Sequence, residues 1–75
     1  MKNQENLKPT KRETEILLLI GRGKTSREIA TILSLSVDTV ATHRKRLCEK
    51  LGIHSTASLV AYGLKAAENQ TEDRN

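Results

Sequence analysis

The sequence has almost no aromatic residues, almost no cysteine and no long apolar run. Tyr62 is its single aromatic side chain, with neither Trp nor Phe present. A stacking platform for RNA or single-stranded nucleic acid needs several π-faces, so that class of partner is excluded. The core has to be built from Ile, Leu, Val and Ala. Cys48 is the only cysteine; no internal disulfide can form, which fits a reducing cytoplasm. Its surroundings, HRKRLCEK, offer one His and one Cys, well short of a structural zinc set. A half-buried helix cysteine is the expectation there, and no metal or cofactor site is expected anywhere. The longest apolar run, Ile16–Ile20, is too short to cross a membrane, and MKNQENLK at the N-terminus lacks the apolar core of a signal peptide.

What is present is a small, basic chain. Its 75 residues allow one small domain, too short for a doubly wound nucleotide-binding sheet. It carries 13 Lys and Arg against 9 Asp and Glu, a net charge of +4. Such a balance suits a polyanionic partner; solubility alone is the plainer explanation.

The stretch ILLLIGRGKTS tests the nucleotide reading directly, because an apolar run leading into GKT is how a phosphate-binding loop leaves its strand. That loop needs G-x-x-x-x-G-K-[ST]. Counting back from Gly23, Lys24 and Thr25, the first glycine would have to stand at Leu18. The context fails as well, since the preceding segment opens as a helix.

Periodicity and capping predict four helices between a polar arm over 1–8 and a polar, disordered tail over 68–75. The first opens at TKRE, where Thr10 and Glu13 form a capping box, and ends at Gly21 and Gly23. Ile16–Ile20 alone reads equally as a strand; the capping box favours helix. The second opens at TSRE, with Thr25 and Glu28 as its box, and buries Ile29, Ala30 and Leu33. The third is capped by Ser36, has Asp38 in its first turn and an apolar stripe of Val37, Val40, Leu47 and Leu51, and stops at Gly52. The fourth runs from Ser55 to about Ala67, with Leu59, Val60, Gly63 and Leu64 along one side. Only SLS, Ser34–Ser36, separates the second helix from the third, which is helix-turn-helix spacing. Ala30 is small where the pair crosses, Leu35 plugs the turn and Val40 anchors the second helix of the pair. The usual turn glycine is replaced by Ser34, so this turn is expected to do without a positive φ.

The third helix holds the chemistry. His43, Arg44, Lys45 and Arg46 cannot all face one way at about 100° per residue. The outward face reads Asp38, Ala41, Thr42 and Lys45, extending to Arg46 and Glu49. A major groove admits one α-helix. Ala41 and Thr42 are small enough for close approach, and Thr42 can read a thymine methyl or an acceptor. Lys45 and Arg46 reach guanine or phosphate. A solvated charged face is the plain alternative. At the start of the second helix, Lys24 and Thr25, with Arg22 and Arg27 nearby, can hold a phosphate; Arg22, Arg27, Lys11 and Arg12 fit a solubilising role equally. His43 points inward at its position and is read as a partly buried histidine bonded to backbone, ahead of a phosphate or pH-dependent contact. His54 is read as a loop residue. No catalytic constellation stands out, so the chain is not read as an enzyme.

These motifs, TxxE before the first helix, EIA in the second, S-x-x-TV-x-x-H in the third and KLGIHS before the fourth, resemble the LuxR-type (FixJ/NarL, GerE-like) helix-turn-helix domain, over Leu7 to about Ala66. Hallmarks fall on Glu13, Leu17 and Gly23, and HSTASLVAY is similar to the response-regulator branch. The resemblance implies an all-α, four-helix (tetrahelical) helix-turn-helix bundle over 9–67 in a bacterial, cytoplasmic, nucleoid-bound transcription regulator. Base contacts are implied at Ala41, Thr42, Lys45 and Arg46, and phosphate contacts at Lys24, Thr25, Ser36 and Thr39. A homodimer is implied through the fourth helix, with Val60, Tyr62 and Leu64 as its expected contacts. Double-stranded DNA, a second copy and RNA polymerase are the expected partners; no small-molecule ligand is. Two departures are visible: Ala41 stands where relatives often have Lys or Glu, and Leu18 where they tend to be polar. Relatives usually carry an N-terminal phosphoacceptor or ligand-binding domain; a short arm after Met1 fits either a free-standing regulator or a DNA-binding fragment. Two rival readings are a sigma-factor promoter-recognition domain, disfavoured by HSTASLVAYGLKAA, and a protein-binding module that pairs with a full-length regulator.

Overall fold

A computed structural model of the chain describes residues 8–73, and side chains as far as Asn69. Most of the expected arm, 1–7, and the last side chains of the expected tail lie outside the described residues. Four helices follow one another: α1 (Lys11–Gly21), α2 (Ser26–Leu33), α3 (Val37–Leu51) and α4 (Thr56–Asp73), with no strand among the described residues. The strand alternative at Ile16–Ile20 is therefore excluded, and the architecture is the all-α helix-turn-helix bundle.

Each helix begins on a side chain that satisfies one of its orphan N–H groups. Thr10 Oγ1 accepts from the Glu13 N–H at 3.1 Å while Glu13 Oε1 accepts from the Thr10 N–H at 3.0 Å. Thr25 and Glu28 repeat the exchange at 3.1 and 2.8 Å. Ser36 Oγ accepts from the Thr39 N–H at 3.0 Å, and Ser55 Oγ from the Ser58 N–H at 3.1 Å. Caps of this kind contribute about 1 kcal/mol each. They are local, so all four starts follow from sequence.

The core joins one face of every helix: Ile16, Leu17 and Ile20 of α1, Ile29 and Ala30 of α2, Val40 and Leu47 of α3, and Leu59 of α4. Leu33, Leu35, Cys48, Leu51 and Val60 pack against it half-buried. Leu35 thus seals the turn, and its N–H donates to the Ala30 carbonyl at 2.8 Å. α1 is the hub, touching α2, α3 and, most extensively, α4. That last contact depends on two glycines. A Cβ on Gly63 would overlap the Leu17 carbonyl and the backbone of Gly21, and one on Gly21 would overlap the backbone of Gly63 and Leu64. Backbone atoms cannot move aside, so both positions require hydrogen as the side chain.

Four expectations are corrected. Ser34 does adopt a positive φ, 58°, as the C-cap of α2; serine tolerates at modest cost the left-handed conformation that glycine would take freely. Val37 is 44% exposed, not part of a buried stripe. As the first residue of α3 it projects past the end of the core, which begins at Val40. Leu64 is 50% exposed, unlike Leu59 and Gly63, because it lies about 100° around the helix from Gly63 and so beyond the strip that faces α1. Finally, α4 continues past Ala67 to Asp73.

Candidate nucleic-acid interface

Packing decides which way α3 faces. Val40 and Leu47 are fully buried, while Asp38, Ala41, Thr42, Lys45, Arg46 and Glu49 are all exposed. The basic quartet is split accordingly: His43 and Arg44 turn partly inward, Lys45 and Arg46 outward. The four residues expected at bases, Ala41, Thr42, Lys45 and Arg46, therefore share one solvent-facing side. Thr42 is further constrained, since its Oγ1 donates to the Asp38 carbonyl at 3.1 Å.

A buried ionic strut holds this helix in place. Glu13, in the first turn of α1, is only 1% exposed. Its Oε1 accepts from Lys50 Nζ at 2.7 Å and from the Thr10 N–H at 3.0 Å. Lys50 Nζ also donates to the Lys8 carbonyl at 3.2 Å. His43 Nδ1 lies 3.8 Å from Glu13 Oε2. One carboxylate thus ties down the C-terminal end of α3 and faces its middle. Burial pushes the Glu13 carboxyl up, but the Lys50 hydrogen bond and charge, with the Thr10 N–H and His43, outweigh it and hold the group below its ordinary value. The inward placement of His43 agrees with the sequence reading; its expected backbone partner does not, because Nδ1 makes no hydrogen bond and faces this carboxylate instead. The sequence marks Glu13 as a cap and a family hallmark, without a partner on α3. A buried-capable Glu at a cap position, with Lys and His spaced seven apart on a later helix, is the signal that could have joined them.

The expected phosphate-binding residues fall into three places. Lys24, Thr25 and Arg27 come together with Glu28, Thr31 and Ile32 around an open hollow of about 380 Å³ along α2. Ser36 and Thr39 sit at the start of α3, where Ser36 Oγ donates to Thr39 Oγ1 at 2.9 Å. Arg22 stands apart, as the C-cap of α1. The capping bonds leave the N–H groups of Ser26 and Arg27, and of Val37 and Asp38, as the open donors of these two helix starts. At α2 the Glu28 carboxylate already occupies part of the positive end. Its bond from the Thr25 N–H holds it below its ordinary pKa, with the Lys24 charge adding to this. Arg12 is paired with Glu15 at 3.3 Å on the exposed side of α1.

On α4 the three residues expected at a dimer contact do not form one patch. Tyr62 and Leu64, 46% and 50% exposed, are two residues apart and so about 200° apart around the axis. Val60 is half-buried against the core on the Leu64 side. Ala57 and Ala61, both exposed, complete an apolar strip on that side. Tyr62 instead borders a hollow of about 210 Å³ with Lys65, Ala66 and Asn69.

Among the described residues no helix is long and apolar enough to cross a membrane, and no group of three His, Cys, Asp or Glu could hold a metal ion.

Over 56 residues the chain is 50% identical to the uncharacterized response regulatory protein YgeK of Escherichia coli (strain K12), a stretch covering 75% of this chain and 38% of that protein. It is 49% identical over 55 residues to the transcriptional regulatory protein MctR of Rhizobium johnstonii, covering 73% of this chain and 26% of that one. It is 48% identical over 56 residues to the oxygen regulatory protein NreC of Staphylococcus aureus, covering 75% of this chain and 26% of that one. The chain therefore spans well under half the length of these relatives. The model for bacterial regulatory proteins of the luxR family matches residues 9–62, which takes in all three helices around the turn and the first part of α4. With that match laid over a helix-turn-helix bundle, the chain belongs to the luxR family of bacterial regulatory proteins, whose domain is a DNA-binding transcription regulator.

Proposed function

We propose that the chain recognises a specific sequence in double-stranded DNA by laying α3, residues 37–51, in the major groove. The carrying observation is the outward side of α3, where two small residues, Ala41 and Thr42, are followed by two long cations, Lys45 and Arg46, all exposed on a helix whose opposite side is locked into the core. Small residues permit approach to base edges, and the cations reach guanine or the backbone. The starts of α2 and α3, with Lys24, Thr25, Arg27, Ser36 and Thr39, serve as phosphate anchors that set the register, and Arg22 adds charge at the edge.

Pairing on an inverted repeat uses α4. Of its two exposed flanks, the one with Ala57, Val60, Ala61 and Leu64 is apolar and continuous, whereas the Tyr62 flank carries Lys65 and Asn69. A two-fold contact sets a patch against its own copy, so an apolar strip is favoured over a charged one. Val60 and Leu64 are thus the proposed contacts, and Tyr62 is not. Such a regulator works in the bacterial cytoplasm on the nucleoid, with RNA polymerase as the machinery it influences.

Selection from a random duplex library, followed by gel shift, tests the reading. An enriched sequence with two-fold symmetry is expected. A library that returns no enriched site would favour a protein-binding role for the same fold.

A further inference from the structure

Thr42 is the residue on the reading face whose side chain has a hydrogen-bond partner within the helix. A threonine hydroxyl has a single proton, and here it is donated to the helix's own Asp38 carbonyl at 3.1 Å. What remains for a groove is the side-chain methyl and the lone pairs of the hydroxyl oxygen. Asp38, one turn earlier on the same side, offers a carboxylate that accepts. Ala41, beside Thr42 and exposed, offers no polar atom. Lys45 and Arg46, in the next turn, only donate. The outward side of α3 is therefore graded, with apolar and accepting groups towards its N-terminus and donors beyond.

Base edges in the major groove differ in what suits each part. Guanine shows two acceptors, which Thr42 without a free proton cannot satisfy. A thymine shows a 5-methyl group, and its paired adenine an amine that donates. Methyl and amine belong to one base pair, and Thr42 has the complement of both. We infer that Thr42 reads an A·T pair through the thymine methyl, and not by donating its hydroxyl. This rests on the reading of α3 as the groove helix, and it adds the chemistry by which one position is read.

The test uses the selected duplex with single thymines in one half-site replaced in turn by uracil, which removes only the 5-methyl group. Binding is compared for the wild-type chain, Thr42→Val and Thr42→Ser. At one thymine, uracil should weaken the wild type roughly four-fold, the worth of one buried methyl-sized group. Thr42→Val keeps the methyl surface and should show the same sensitivity. Thr42→Ser lacks the methyl and should bind thymine and uracil alike at that position. The inference is overturned if uracil is tolerated by the wild type at every thymine, or if Thr42→Val loses the discrimination while Thr42→Ser keeps it. A library that yields no site at all would refute the DNA-binding reading and this inference together; a clear site with a flat uracil series would refute this inference alone.

Discussion

Neutralising either end of the Glu13–Lys50 pair should have unequal costs, and the inequality can be worked from burial. Glu13 is 1% exposed, whereas the Lys50 side chain is 17% exposed at the end of α3. Lys50→Met leaves a carboxylate sealed inside without its ammonium, a loss of about 3–5 kcal/mol for a broken buried pair. Glu13→Gln keeps an oxygen for the Thr10 N–H and releases an ammonium that can turn to water, so roughly 1.5–3 kcal/mol is expected, the worth of a charged hydrogen bond. The double variant should be less damaged than the sum, since neither charge is then stranded. Urea unfolding of the four proteins at constant ionic strength measures all three terms. The pH dependence supplies a second check. Because the folded Glu13 carboxyl titrates below its ordinary 4.5, its stabilisation is complete above that value. It is lost as pH falls through the lower folded value. Glu13→Gln should remove this part of the acid limb. In Lys50→Met the carboxyl can escape by protonating, so that variant should recover relative to the wild type in acid. A Lys50→Met chain more stable than Glu13→Gln near neutrality, or strictly additive losses, would refute the strut as the support of α3.

The other expectations concern binding and packing. Lys45→Ala should cost about 1–3 kcal/mol on the selected site and relax preference at one position, read by gel shift on matched and mismatched duplexes; equal losses on selected and random DNA would remove Lys45 from base reading. Lys24→Ala should weaken binding to all sequences alike and reduce the salt slope by about one unit; an unchanged slope would mean that the Glu28 carboxylate already neutralises this end of α2. Leu64→Glu should abolish the two-to-one complex on DNA in sedimentation velocity while Tyr62→Glu preserves it, and the reverse result would move the interface to the Tyr62 flank. Gly63→Ala should destabilise the fold by roughly 3 kcal/mol, the upper part of the overpacking range, because its Cβ meets the Leu17 carbonyl and the Gly21 backbone; thermal unfolding unchanged from wild type would show that α1 and α4 can separate without cost.

The division between what the sequence revealed and what it hid follows the range of each interaction. Thr10, Thr25, Ser36 and Ser55 cap helices through partners three residues away, so starts were legible from short windows. The facing of α3 was legible for a related reason: Val40 and Leu47 fix one side, and helical geometry then determines where Ala41, Thr42 and Lys45 must stand. Glu13 and Lys50 are 37 residues apart and Gly21 meets Gly63 across two intervening helices; no local window contains both members. Ser34 misled because glycine is the commoner residue at positive φ, yet the Leu35 seal on Ala30 fixes the turn whichever residue precedes it. Tyr62 and Leu64 are a different case, for the same 100° arithmetic that separated His43 from Lys45 would have set them on opposite flanks of α4. The resemblance assigned the fourth helix to pairing without saying which flank of it, so both residues were expected at one contact. The distinction carries over to the reading face itself. Which residues of α3 face solvent is a matter of helical phase and was open to the sequence. The 3.1 Å contact of Thr42 Oγ1 with the Asp38 carbonyl, on which the proposed base reading turns, is a matter of side-chain placement that helical phase does not give.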